Sequence, residues 1–119
     1  RGDPAVIPGA RSERLYLSDI REAIDRILGY TAGGREAFLA DLKTQDAVVR
    51  NLEIIGEATR GISEATKATH PEVPWRDMSD MRNKVIHDYF RVDLEVVWDV
   101  AQNDLPALRP QIDALLALG

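Results

Sequence analysis

Apolar positions along the chain recur at steps of three and four for most of its length, the period of helices that bury one face. Leu17, Ile20, Ile24, Ile27 and Leu28 make a first stripe, predicting an amphipathic helix that begins at Ser12 and stops near Gly29, with Gly33 and Gly34 beyond it. A short helix is expected over Arg35 to Leu42. Thr44 then serves as N-cap of a helix whose stripe is Val48, Leu52, Ile55 and Ile62. Gly56 lies inside that helix at a cost of about 1 kcal/mol relative to alanine, which predicts close approach by a neighbouring helix. Ser63 to His70 adds a turn or two before Pro71 and Pro74 break the pattern. Trp75 opens a helix reaching about His87. Asp93 caps the last one, where Leu94, Val97, Ala101, Leu105, Leu108, Ile112 and Leu115 keep phase across Pro106. One long C-terminal helix, kinked near Pro106, is the expectation. No run alternates convincingly with period two, so the fold class is all-α, an antiparallel helical bundle forming one domain over residues 12–119. Residues 1–11, punctuated by Gly2, Pro4, Pro8 and Gly9, read as a flexible leader or remnant outside that domain.

Composition narrows the chemistry. The 119 residues include no cysteine, which removes disulfides, thiolate metal sites and cysteine nucleophiles, and fits a reducing, cytoplasmic setting. No apolar run approaches the length of a membrane span. There are two histidines, far apart, and no His-x3-His spacing, so no metal site is expected. His70 precedes a proline and reads as a solvated loop residue. Trp75 and Trp98 read as core or interface anchors.

His87 differs because of its neighbours, Arg82-Asn83-Lys84-Val85-Ile86-His87-Asp88-Tyr89-Phe90. In a continuous helix Asp80, Asn83 and His87 share a face, Met78, Met81 and Val85 form the apolar one, and Arg82 lies about 140° from His87 among apolar neighbours. An arginine so placed must snorkel, pair with a carboxylate or be covered by a second chain. Arg82 and His87 converge only if the helix ends just before His87 or if a partner subunit brings them together. An imidazole titrates near neutrality and can move protons. A guanidinium presents a planar fork of donors to phosphate oxygens and holds charge building on phosphorus. Together they suffice for RNA cleavage without a metal: the base takes the ribose 2′-hydroxyl proton and that oxygen attacks the adjacent phosphate.

At these residues the chain resembles the HepT-like toxin branch of the HEPN superfamily. Arg82, four residues, His87, one residue and Tyr89 match its signature. The likeness extends to Arg50-Asn51-Leu52-Glu53-Ile54-Ile55-Gly56-Glu57-Ala58, Pro74-Trp75-Arg76 and Asp93-Leu94-Glu95-Val96-Val97-Trp98, spanning nearly all of residues 14–118. The resemblance implies an all-helical homodimer whose paired motifs line an interfacial cleft and cleave RNA without a cofactor. It also implies a type VII-like toxin–antitoxin pairing with an MntA-type nucleotidyltransferase antitoxin. Carried onto this chain, Arg82 and His87 are catalytic and Tyr89 is the residue modified with AMP. Phosphate added two residues from His87 would put negative charge where RNA must bind.

Asn83 either orients the His87 ring, contacts phosphate, or is a surface residue without a role. Glu53 and Glu57, at i and i+4, belong to a solvated charged face compensated by arginines such as Arg50 and Arg60, or line the cleft. Residues 76–91 carry four Arg/Lys against three Asp, net +1, whereas residues 92–119 carry one arginine against five carboxylates, net −4. RNA should therefore meet the motif segment and avoid the last helix. The competing reading is a non-catalytic helical subunit that binds a nucleotidyltransferase.

Overall fold

A computed structural model describes residues 8–87 and 91–118, with side chains described for 13–86 and 91–118. Helix α1 (Pro8–Tyr30) is followed by α2 (Arg35–Ala40), α3 (Leu42–Arg60) and α4 (Glu64–Thr69). Two short helices, α5 (Trp75–Ser79) and α6 (Met81–Val85), lead into the two-residue strands β1 (Ile86–His87) and β2 (Arg91–Val92). The chain closes with α7 (Leu94–Asp99), a π-helical segment (Val100–Asp104) and α8 (Leu105–Ala117). The all-α class holds, with one minimal antiparallel ladder added to it.

α1 lies along both α3 and α8. Its side chains fix the directions. Glu13, near its start, accepts from the Ser63 backbone N–H beyond the end of α3 at 2.7 Å, so α1 and α3 run antiparallel. Arg14 donates to the Leu116 carbonyl, Arg21 meets Asp113, and Arg109 meets Asp25, an order that also makes α1 and α8 antiparallel. The expected stripes form the centre: Ile20, Ile24, Ile27, Val48, Leu52, Ile55, Val97, Leu105 and Ile112 are fully buried. At roughly 1.5–3 kcal/mol for each large aliphatic side chain removed from water, this stripe dominates the favourable side of folding. Phe38 seals one end, its ring 5.6 Å from that of Trp98.

Several boundaries differ from expectation. α1 already begins at Pro8, four residues inside the segment set aside as a leader, while residues 1–7 lie outside the described residues. It runs on through Gly29 to Tyr30; Gly34, at φ 100°, makes the left-handed turn into α2. α3 is capped by Asp41 and not Thr44. Asp41 accepts from the Lys43 N–H at 3.0 Å and from the Thr44 hydroxyl at 2.8 Å, so Thr44 supports the cap from within the first turn. The C-terminal helix is one continuous path, but its irregularity precedes Pro106. The Leu105 N–H reaches the Val100 carbonyl, an i−5 bond, and the widened turn makes room where the proline ring would crowd the Gln102 carbonyl. Among the described residues no helix is long and apolar enough to cross a membrane.

Candidate active site

The motif segment rests on two anchors. Trp75 is buried and its indole N–H donates to the His70 carbonyl at 2.9 Å, joining α5 to the end of α4. His70 is correspondingly half-buried, with Nδ1 3.6 Å from a Glu72 carboxylate oxygen, and is not a freely solvated loop residue. The second anchor is Gly56. A Cβ built there would stand 3.3 Å from the Ser79 carbonyl oxygen and 3.5 Å from that of Met78, so the glycine lets α5 lie directly against α3. Arg60, one turn along α3, donates to the same Ser79 carbonyl at 2.7 Å. The expectation of close approach at Gly56 is met, and α5 is the helix that approaches.

The expected single helix from Trp75 to His87 does not form. The backbone breaks at Asp80, restarts as α6, and becomes extended at Ile86, with φ −96° and ψ 122°. Met78, Met81 and Val85 are buried as the apolar pattern requires. The stop at Val85 comes from pairing: Ile86 stands opposite Val92, His87 opposite Arg91, and the Asp93 N–H donates to the Val85 carbonyl at 2.8 Å. β-Branched Val85 and Ile86 suit the change from helix to ladder. Asp80, Asn83 and His87 therefore do not share one helical face.

With Met81 and Val85 turned inward, the exposed surface of α6 carries Arg82, Asn83 and Lys84. Arg82 is not wedged among apolar neighbours. Its side chain is 57% exposed, and its Nε donates to a Glu53 carboxylate oxygen at 3.2 Å. Of the three outcomes open to Arg82, the one seen is pairing with a carboxylate, that of Glu53 from α3, while Glu57 is exposed one turn further along. Asn83 occupies the crest between the two cations. The backbone places His87 in β1, immediately past the end of α6 and opposite Arg91; Tyr89 lies outside the described residues.

Sequence reasoning counted Lys84 only as charge. The structure gives it a partner, Asp104 at 3.0 Å, on the opposite flank of α6 from Arg82. The i, i+2 spacing of Arg82 and Lys84, about 200° apart on a helix, was the available signal for two separate flanks. The acidic last helix is consequently not remote from the motif, since its π-helical segment supplies this carboxylate. Trp75 and Trp98 are both engaged with the core rather than presented as platforms.

Residues 20–115 match the family model described as Ribonuclease HepT-like. Over 106 residues the chain is 49% identical to "Probable ribonuclease HepT" of Thermococcus cleftensis, covering 88% of this chain and 96% of that protein. It is 38% identical over 104 residues to "Putative RNase MJ0127" of Methanocaldococcus jannaschii, covering 87% and 86% respectively. Against "Putative RNase TTE0752" of Caldanaerobacter subterraneus subsp. tengcongensis it is 33% identical over 107 residues, covering 89% and 96%. No solved structure matches.

Proposed function

The chain belongs to the Ribonuclease HepT-like family, and from that premise we propose that it is an endoribonuclease working without a metal, with Arg82 and His87 as its catalytic pair at the interface of a homodimer. The names of its relatives support the ribonuclease activity. The observation that carries the assignment of residues is the end of α6 at Val85. That stop releases His87 from the opposite side of a continuous helix, while Arg82 stands on an exposed flank of α6, away from the buried Met81 and Val85.

The chemistry follows from the two side chains. Neutral His87 of one copy removes the proton from a ribose 2′-hydroxyl, and the oxygen attacks the neighbouring phosphorus. Arg82 donates to the non-bridging oxygens as negative charge grows on them. The bond from phosphorus to the 5′ oxygen breaks, and that oxygen takes a proton from an imidazolium, the second copy's His87 being the natural donor. The products are a 2′,3′-cyclic phosphate and a 5′-hydroxyl. DNA, lacking the attacking oxygen, is not a substrate by this route. Glu53 holds Arg82 before RNA arrives, and a phosphate replaces it as the stronger, bidentate partner.

In the cell this activity makes the chain a toxin, cytoplasmic, whose partner is an MntA-type nucleotidyltransferase. That partner transfers AMP from ATP to the Tyr89 phenol oxygen with release of pyrophosphate, and the added negative charge repels RNA. The test is direct. Purified chain, with EDTA present, should cut single-stranded RNA to cyclic-phosphate and 5′-hydroxyl ends and should spare an all-deoxy copy. It should elute near twice 13.3 kDa. Equal activity, or equal growth inhibition on expression, for wild type, Arg82→Ala and His87→Ala would overturn the assignment and leave a helical binding subunit.

A further inference from the structure

Beside α6, on the flank opposite Arg82, a cavity of about 260 Å³ opens between α5, α6 and the start of α8. Its volume is at the small end for ligand sites, suited to one planar base more than to a larger molecule. Met78, Met81, Leu105 and Leu108, all buried residues, contribute its apolar lining. Thioether sulfur and branched aliphatic groups are good surfaces for the face of an aromatic ring. Its polar lining comprises Asp77, Lys84, Asn103, Asp104 and Gln111, of which Lys84 and Asp104 form a pair 3.0 Å apart and the Asn103 amide is already committed to Asp99.

That pair sets an ammonium donor next to a carboxylate acceptor. Guanine carries the complementary order on its Watson–Crick edge: the O6 acceptor beside the N1–H and N2–H donors. Adenine, cytosine and uracil do not offer one acceptor followed by two adjacent donors. Single-stranded RNA is commonly read in this way, an unstacked base held on an apolar surface and recognised along that edge. α6 ties the cavity to the cleavage motif, since Arg82 and Lys84 stand on its two flanks with Asn83 between them. A strand whose phosphate lies at Arg82 can cross Asn83 and place a neighbouring base in the cavity. We infer that this cavity is a guanine subsite for the RNA substrate, with Asp104 and Lys84 reading the base. The inference rests on the ribonuclease reading and adds to it a sequence preference.

Methionine provides the probe. The chain has two, Met78 and Met81, and both line the cavity. With carbon-13-labelled methionine methyl groups, guanosine 5′-monophosphate should shift both signals saturably, whereas the adenosine, cytidine and uridine monophosphates should bind about tenfold more weakly or not at all. Asp104→Asn, an exposed and nearly isosteric change, should erase the preference for guanine while the two methyl signals attest to an intact fold. In parallel, oligoribonucleotides carrying one guanine should be cut at a fixed offset from it, and Asp104→Asn should lose that dependence. Silent methionine signals in a chain that cuts RNA would overturn the subsite and leave the ribonuclease reading standing. Equal shifts with all four nucleotides, or unchanged guanine preference in Asp104→Asn, would also overturn it. Guanine-specific shifts in a chain that cuts no RNA would overturn its role in substrate recognition, and with it the ribonuclease reading.

Discussion

The bundle of α1, α3 and α8 and the segment over residues 75–92 are built on opposite plans. In the bundle, long helices each bury a continuous stripe, and charged pairs such as Arg21 with Asp113 and Arg109 with Asp25 only trim the edges. In the motif segment, two five-residue helices, a break at Asp80 and a two-residue ladder follow one another. Among the described residues of that segment Trp75, Met78, Met81 and Val85 are buried and Ile86 and Val92 pack against the core, while Arg82, Asn83 and Lys84 face outward. Short helices are marginal on their own and depend on such anchors. The contrast separates what keeps the chain folded from what presents its chemistry, so substitutions in the two regions should fail in different ways.

The largest effect is expected at the chemistry. Arg82→Ala and His87→Ala should each lower RNA cleavage by about 10²–10⁴-fold, measured on a defined oligoribonucleotide. Thermal melting should change little for Arg82→Ala, because its Glu53 partnership is an exposed pair worth about 0–1 kcal/mol. In the bundle the opposite is expected. Leu52→Ala or Ile55→Ala, both fully buried, should cost about 2–5 kcal/mol in chemical denaturation, with cleavage by the remaining folded fraction close to wild type. A Leu52 variant that melts normally yet cuts no RNA would break the division between the two regions.

Gly56 is where the regions touch, and it should fail in both ways at once. Gly56→Val drives a branched side chain against the Ser79 and Met78 carbonyls. It should lower stability by about 1–3 kcal/mol through overpacking. α6 follows α5 after the single residue Asp80, so the displacement reaches Arg82 and cleavage should fall even well below the melting temperature. Glu53→Gln is the gentler probe of the same junction. Stability should move by less than about 1 kcal/mol. Removing a negative charge beside Arg82, the proposed phosphate contact, should lower KM for RNA a few-fold, and looser positioning of Arg82 should reduce kcat. An unchanged KM would show that Glu53 plays no part in RNA binding.

How much of this is legible in the chain follows the same division. The stripes of α1, α3 and α8 announce themselves because burial of one face imposes a period that needs no partner to be read. Gly56 is legible too, since an interior glycine asks for a reason and close packing is the commonest one. The end of α6 is not. The helical period runs on through Val85 and Ile86, and the stop depends on pairing with Arg91 and Val92 across a hairpin. Glu53 could be seen as one of two carboxylates a turn apart, but which of them meets Arg82 is decided by how α5 and α6 lie on α3. Lys84 and Asp104 are twenty residues apart, and no local pattern joins them. The cap of α3 shows a finer limit: Asp41 and Thr44 are both good capping types, and only backbone geometry selects Asp41.

That cap yields the smallest expected effect and the cleanest control. The Thr44 hydroxyl, followed by the Lys43 and Thr44 backbone N–H groups, holds the Asp41 carboxyl below its ordinary range. A carboxylate whose folded pKa is depressed stabilises the fold fully above its unfolded value, near 3.9, and that contribution disappears as pH falls through the lower, folded value. Asp41 is exposed, so solvent keeps the effect slight. Hydrogen exchange at the Lys43 and Thr44 amides, corrected for intrinsic rates, should therefore be flat from neutral pH down to about 4 and accelerate below it. In Asp41→Asn, which can cap without titrating, the acid-dependent rise should vanish. Backbone protection at Val85 and Asp93, which close the motif hairpin, should be indifferent to this substitution. Protection there that tracks the Asp41 titration would join the start of α3 to the motif segment and dissolve the division between scaffold and candidate site.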